Sequence, residues 1–190
     1  VTSTAAADPR PLTGEPLGID LLNTRWIDGA GRHDLLSCVD GLAVWLKSAA
    51  VREALGGEPV PAGAETLEQL LGARAALDQA VAHPAAPGPA AVEAVNDVLG
   101  HGRIRPVLRP DGPDTVIEVD APSWLPAWVA VESYLRLLAD RPERIRHCAN
   151  PACVLHFYDV SKNGTRRWCS MAGCGNRAKA QRHQARIRPA

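Results

Sequence analysis

Apolar residues recur at helical spacing along most of the first three quarters of the chain. Ser37 followed by Asp40 resembles a capping box, and Val39, Leu42, Ala43, Leu46 and Ala49 then form one stripe. This pattern predicts a helix over about 38–50. From Ala64 to Ala82, Leu67, Leu70, Leu71, Leu77 and Val81 make a second stripe, with Glu65, Glu68, Arg74 and Asp78 on the other side. The proline-rich stretch 83–89 ends that helix, and a third, short one follows through Val92, Val95, Val98 and Leu99. Ser123 is placed to cap a longer helix carrying Trp124, Leu125, Trp128, Val131, Leu135 and Leu138, whose tryptophans read as core anchors. Between the third and fourth helices, 103–109 and 115–120 read as two strands across Pro110-Asp111-Gly112-Pro113, a hairpin that must pack on the helices to persist. The apolar run 16–26 is short enough for a strand or a helical turn, and residues 1–15 read as a flexible lead-in.

Charge divides the chain where the hydrophobic pattern stops. With 46% hydrophobic and 22% charged residues the composition is that of an ordinary globular protein, and the formal net charge is zero. That zero conceals an asymmetry: residues 141–190 hold eleven Lys/Arg against two Asp/Glu, and residues 1–140 hold ten against nineteen. Arg141-Pro142 breaks the last apolar helix and marks the boundary. The expected fold is mainly α: a helical N-terminal domain with a small β-hairpin over 16–140, then a small four-cysteine module over 141–190 that ends in a basic helix. No apolar run approaches a membrane span, and the start lacks the features of a secretory leader, so a cytoplasmic protein with no membrane partner is expected.

Four of the five cysteines lie in that basic module. Cys148 and Cys153 have four residues between them, as do Cys169 and Cys174, with fifteen between the pairs. In a reducing compartment, two short-looped pairs point to one structural Zn²⁺ held by four thiolates, which leaves no open position for catalysis. His147 and His156 are the competing ligands, each able to replace one thiolate. Cys38 lies beside Val39 in the first predicted helix and is read as a buried small hydrophobe. A zinc ion with four thiolates carries a formal charge of −2, and Arg166 and Arg167 are placed to offset it. After Cys174, the run to Arg186 holds no helix breaker and almost no apolar stripe. At about 100° per residue, Lys179, Arg182 and Arg186 share one cationic face, with Arg177 and Asn176 at the helix start. Such a helix either lies solvated on the surface or enters a nucleic-acid groove, the reading favoured by the metal-held helix start, where its Arg and Asn side chains suit base edges.

The segment from Cys148 to Arg186, with Asp159, Ser161, Asn163, Arg166-Arg167-Trp168-Cys169 and above all Cys174-Gly175-Asn176-Arg177, resembles the CGNR zinc finger. Upstream, Asp20-Leu21-Leu22-Asn23-Thr24 looks like the start of the ABATE domain, which precedes that finger in bacterial stress-induced transcription regulators. The resemblance implies zinc on Cys148, Cys153, Cys169 and Cys174. It also implies DNA contact by the Gly-Asn-Arg segment and the helix after it, and a helical domain that senses a ligand or dimerises. The residues expected at nucleic acid are therefore Arg166, Arg167, Asn176, Arg177, Lys179, Arg182 and Arg186. Asp20, Asn23, Thr24 and Arg25 form a polar cluster within apolar sequence, where Arg25 could hold an anionic effector; equally, Asp20 and Asn23 could bond buried backbone. No nucleophile–base pair or phosphate loop is evident, so no enzyme is expected. The competing readings are a small-molecule-binding protein or enzyme with a purely structural zinc module, and an RNA-binding protein that stacks bases on Phe157, Tyr158 or Trp168.

Overall fold

The computed structural model of the protein describes residues 7–187, without the side chains of 181–183 and 185–187. Its centre is α1 (Leu17–Leu22), a six-residue helix buried along its whole length. The sequence of α1 has a single charged residue, Asp20, and no polar stripe, so it cannot lie on a surface. It packs on α6 (Leu125–Asp140) on one side and α4 (Ala64–Val81) on another. Gly18 sets the closeness of the first contact: a Cβ there would lie 2.6 Å from the Ala130 carbonyl oxygen and 2.8 Å from Tyr134 Cβ. The helix α5 (Pro89–Leu99) completes a layer with α4 and α6. Leu70, Leu77, Val131 and Tyr134 fill the space between these helices.

The first predicted helix is two. Its span holds α2 (Val39–Lys47) and α3 (Ala49–Ala54), separated by the extended backbone of Ser48. The expected capping box is not formed, because Ser37 lies in a short 3₁₀ turn over 35–37 that Asp34 caps by accepting from the Leu36 N–H at 2.9 Å. Cys38 is extended and exposed rather than buried in a helix. Arg74 also departs from expectation. It faces inward from α4, where its guanidinium forks onto both carboxylate oxygens of Asp34 at 2.7 Å and donates to Thr24 Oγ1 at 2.8 Å.

Among the described residues three antiparallel hairpins accompany the helices, where one was expected. The predicted pair is present as β3 (Gly102–Arg109) and β4 (Gly112–Val119). Arg103 and Arg105 on β3 both bond Glu118 across the ladder. The hairpin starts against Trp128, where Gly102 leaves no room for a side chain beside an indole whose N–H donates to the Leu99 carbonyl at 3.0 Å. The unforeseen ones are β1 (Arg25–Asp28) with β2 (Gly31–Asp34), and β5 (Ile145–His147) with β6 (His156–Tyr158) in the cysteine module. The module then ends in α7 (Asn176–Ile187).

Residues 7–15, expected as a lead-in, are tied down at both ends. Arg10 is buried against Asp8 and Asp20, at 2.7 and 2.6 Å. Glu15 accepts from the Tyr158 backbone N–H at 3.0 Å and from Arg166 at 2.9 Å, which fastens it to the cysteine module. A segment rich in Pro and Gly orders here because it carries charges that only distant residues satisfy. No helix among the described residues is long and apolar enough to cross a membrane.

Candidate metal centre and its junction with the helical domain

The short β5–β6 hairpin builds the first half of the metal centre. Its ladder continues into the loop, where the Cys148 N–H donates to the Leu155 carbonyl at 2.9 Å and the Cys153 N–H to the Asn150 carbonyl at 2.9 Å. These bonds turn both sulfurs of the first pair to one side. The second half arrives through a backbone bond from the Ala149 N–H to the Arg167 carbonyl, 2.8 Å. Ser170 then starts a wide helical turn over Met171–Gly175 by accepting from the Gly173 N–H at 2.9 Å, and α7 follows directly.

The four sulfurs of Cys148, Cys153, Cys169 and Cys174 all lie within 4.8 Å of one another, and all four residues are buried. A tetrahedron with Zn–S bonds of about 2.3 Å has an S–S edge of about 3.8 Å, and Cys153 and Cys169 stand 3.9 Å apart. The surroundings suit thiolates. The Cys169 N–H donates to Cys148 Sγ at 3.4 Å, while Asn150 and Arg177 donate to Cys174 Sγ at 3.2 and 3.3 Å. Size, donor type and these donors all fit one structural zinc ion, held by four cysteines with neither histidine among the ligands. The set is the only such metal-ligand cluster among the described residues. The thiolate negative charge holds the Arg177 pKa above its usual value, first through the hydrogen bond to Cys174.

The arginines divide differently from the expectation that Arg166 and Arg167 offset the metal charge. That work falls to Arg177 and to Asn150, a residue the sequence reading passed over. Arg166 instead donates to the carbonyls of Trp168 and Cys169 at 3.1 and 2.6 Å, pairs with Glu15, and covers the Phe157 ring at 4.2 Å. Its guanidinium is spent on holding the module together and onto residues 7–15. Arg167 is exposed beside the Trp168 ring, and Asn176 and Lys179 are exposed on the first turn of α7. The side chains of Arg182 and Arg186 lie outside the described residues.

Of the polar cluster in the helical domain, Asp20, Asn23 and Thr24 are completely buried. Asp20 accepts from Arg10, from the Trp45 indole N–H at 2.9 Å and from the Gly14 N–H at 3.2 Å. Thr24 donates to the Leu21 carbonyl at 2.6 Å and accepts from Arg74. Asn23 reaches into the metal module. Its amide nitrogen donates to the His156 carbonyl and its amide oxygen accepts from the His156 N–H, both at 2.9 Å. A side-chain amide has the donor and acceptor of a peptide unit, so Asn23 extends the edge of β6 as one further strand residue would. Arg25 is partly exposed, ion-paired with Asp78, and lines a cleft between the two modules.

His156 lies on that cleft. Burial depresses its pKa to about 4, with the nearby His147 and the Arg25 charge adding to the effect. The folded chain therefore binds this proton less readily than the unfolded chain, whose histidine titrates near 6.5. Stability is fully present above pH 6.5 and falls as the pH drops from there toward 4, by at most about 3 kcal/mol. An NMR titration of the His156 ring in the zinc-loaded protein is expected to give a midpoint near 4. A midpoint near 6.5 would contradict the burial argument.

The fold and centre define a class: a helical domain bonded to a zinc module that carries a positively charged helix. Residues 144–187 match the CGNR zinc finger, and residues 15–141 match ABATE, described as a putative stress-induced transcription regulator. The second match covers two thirds of the chain, which belongs to the ABATE family. That description is of a regulator and not of an enzyme. Comparison with curated proteins finds no match.

Proposed function

We propose that this chain is a bacterial DNA-binding transcription regulator in which zinc fixes the start of α7 against the nucleic acid. The observation that carries this is the placement of Arg167, Asn176 and Lys179, which are exposed around the metal-held start of a helix with almost no apolar surface. These residues contact DNA, and Arg182 and Arg186 extend the same cationic face by their spacing in the sequence. Arg177 contributes through the orientation of the helix start, since it also bonds Cys174. The helical domain senses an effector or joins two copies, because one finger offers too few base contacts for useful specificity. RNA is the weaker partner. Phe157 and Tyr158 are buried, which leaves Trp168 alone of the three rings partly open for stacking on an unpaired base.

The test measures binding to random-sequence duplex DNA and to single-stranded RNA over a range of salt concentrations. Duplex DNA is expected to bind, with log K falling as log salt rises by about 0.9 for each phosphate contacted. Arg182→Ala/Arg186→Ala should weaken binding on every sequence and reduce that slope by about 2. Absence of binding at low salt, or a slope indifferent to the double substitution, would sink the proposal. Light scattering on the complex checks for the second copy.

A further inference from the structure

The cleft lined by Arg25 and His156 has a volume of about 460 Å³, within the range of small-molecule sites. One wall comes from the helical domain, the other from β5, β6 and the residues before them. Its floor is apolar, made by Leu22, Trp26, Ile27 and Val154. Above the floor stand Arg25 and Arg32 with the rings of His33, His147 and His156.

The carboxylates of this cleft are already engaged, while its guanidinium groups are not fully so. Asp34 is fully engaged, with Arg74 forked onto it from behind and the Leu36 N–H on the same carboxylate. Asp78 is paired with the Arg25 Nη2 alone, which leaves the rest of that guanidinium without a described acceptor. Arg32 is exposed at the rim. Arg25 and Arg32 are matched in number by Asp34 and Asp78 among the lining residues, and Asp28 bonds the His33 ring; what stays open to an anion is the remainder of the Arg25 guanidinium and Arg32. The His156 ring lines the same cleft, with its Nδ1 enclosed and without a hydrogen bond. Its Nδ1 sits in a ring that meets His147 edge-on, with centroids 5.0 Å apart.

We infer that the cleft between the helical domain and the zinc finger binds a small organic carboxylate with an apolar body, its carboxylate on Arg25 and His156 and its body over Trp26 and Val154. This deepens the sensing role proposed for the helical domain and places it in a cleft where an effector touches both modules. Such a ligand would also bear on His156, whose backbone Asn23 holds. Carboxylate binding therefore acts directly on the docking of the finger. A guanidinium suits the acid group through its planar fork, and excess apolar lining selects against a fully hydrated inorganic anion.

Benzoate serves as the probe, with benzyl alcohol as its uncharged analogue and inorganic phosphate as the bare anion. Binding is read from the ring resonances of His147 and His156 in zinc-loaded protein without DNA. Benzoate is expected to shift both sets of resonances saturably in the millimolar range, while benzyl alcohol and phosphate leave them in place. Arg25→Gln should weaken benzoate by about tenfold or more, and Arg25→Lys by less, because the charge remains without the fork. Zinc content of each variant confirms that the finger is intact. Absence of a saturable shift overturns the inference, as do equal binding of benzyl alcohol, tighter binding of phosphate, or indifference to Arg25→Gln. DNA retention measured separately on the same protein can fail while benzoate binds, or succeed while it does not, so the two readings fall independently.

Discussion

Cys174→Ser is expected to release the zinc and unfold the finger while leaving the helical domain folded. Four buried thiolates hold the ion, and Cys174 is the one that also receives Asn150 and Arg177 and stands one turn before α7. A structural zinc contributes on the order of 10 kcal/mol to a module of this size, far more than its few buried apolar side chains can supply. Loss of one ligand therefore removes most of what keeps residues 145–175 ordered. The larger part of the core lies around α1, α4 and α6, so the helical domain keeps a cooperative transition, lowered by the lost bonds at Asn23 and Glu15 and by the lost packing on Leu155 and Phe157. Metal analysis and amide exchange read the outcome directly. One zinc per chain together with undiminished protection over 145–175 would show that the ion is not what orders the finger. Cys38→Ser is the matched control, since that exposed thiol touches neither core nor metal and its loss should change nothing.

Asp20→Ala should cost about 2–3 kcal/mol, because a buried guanidinium loses one of its two carboxylates and the Trp45 indole loses its acceptor. Burial alone would lower the pKa of Arg10; the hydrogen bonds and charges of Asp8 and Asp20 outweigh it and raise that pKa. Truncating Asp20 leaves Arg10 with half of this compensation, and also frees the Trp45 indole and the Gly14 N–H. The double variant Arg10→Ala/Asp20→Ala is expected to be less destabilised than the sum of the two single changes, since the buried guanidinium is then gone and the only carboxylate left without it, Asp8, lies partly open to solvent. Urea denaturation of the four proteins gives the comparison. A loss below about 1 kcal/mol in Asp20→Ala, or simple additivity in the cycle, would mean that this pair matters no more than a surface contact.

The long helices were legible because periodic burial is a local signal: α4, α5 and α6 each repeat their apolar positions over three or more turns. The cysteine spacing carried the metal centre for the same reason, since it is a pattern of identity along a short segment. What escaped is held by partners far apart in sequence. The strands β1, β2, β5 and β6 run only three or four residues, too short to show alternation. The break at Ser48 has no Pro or Gly to announce it. Arg10, Arg74 and Arg166 look like surface charges until Asp20, Asp34 and Glu15 are known to face them. The cleft at Arg25 belongs to the same group, because its two walls lie more than a hundred residues apart.

The bonds from Asn23 to His156 and from Glu15 to Arg166 span 133 and 151 residues. They close residues 15–166 into a ring whose seam lies between the helical domain and the finger. A single proteolytic cut between residues 141 and 144 would open the backbone where the two family matches meet, yet the pieces would stay paired through that seam. Expressed alone, the finger would keep its zinc but show solvent the edge of β6 that Asn23 covers. The boundary between the two family matches is therefore not a boundary of contact, and the finger rests on a part of the chain made before it.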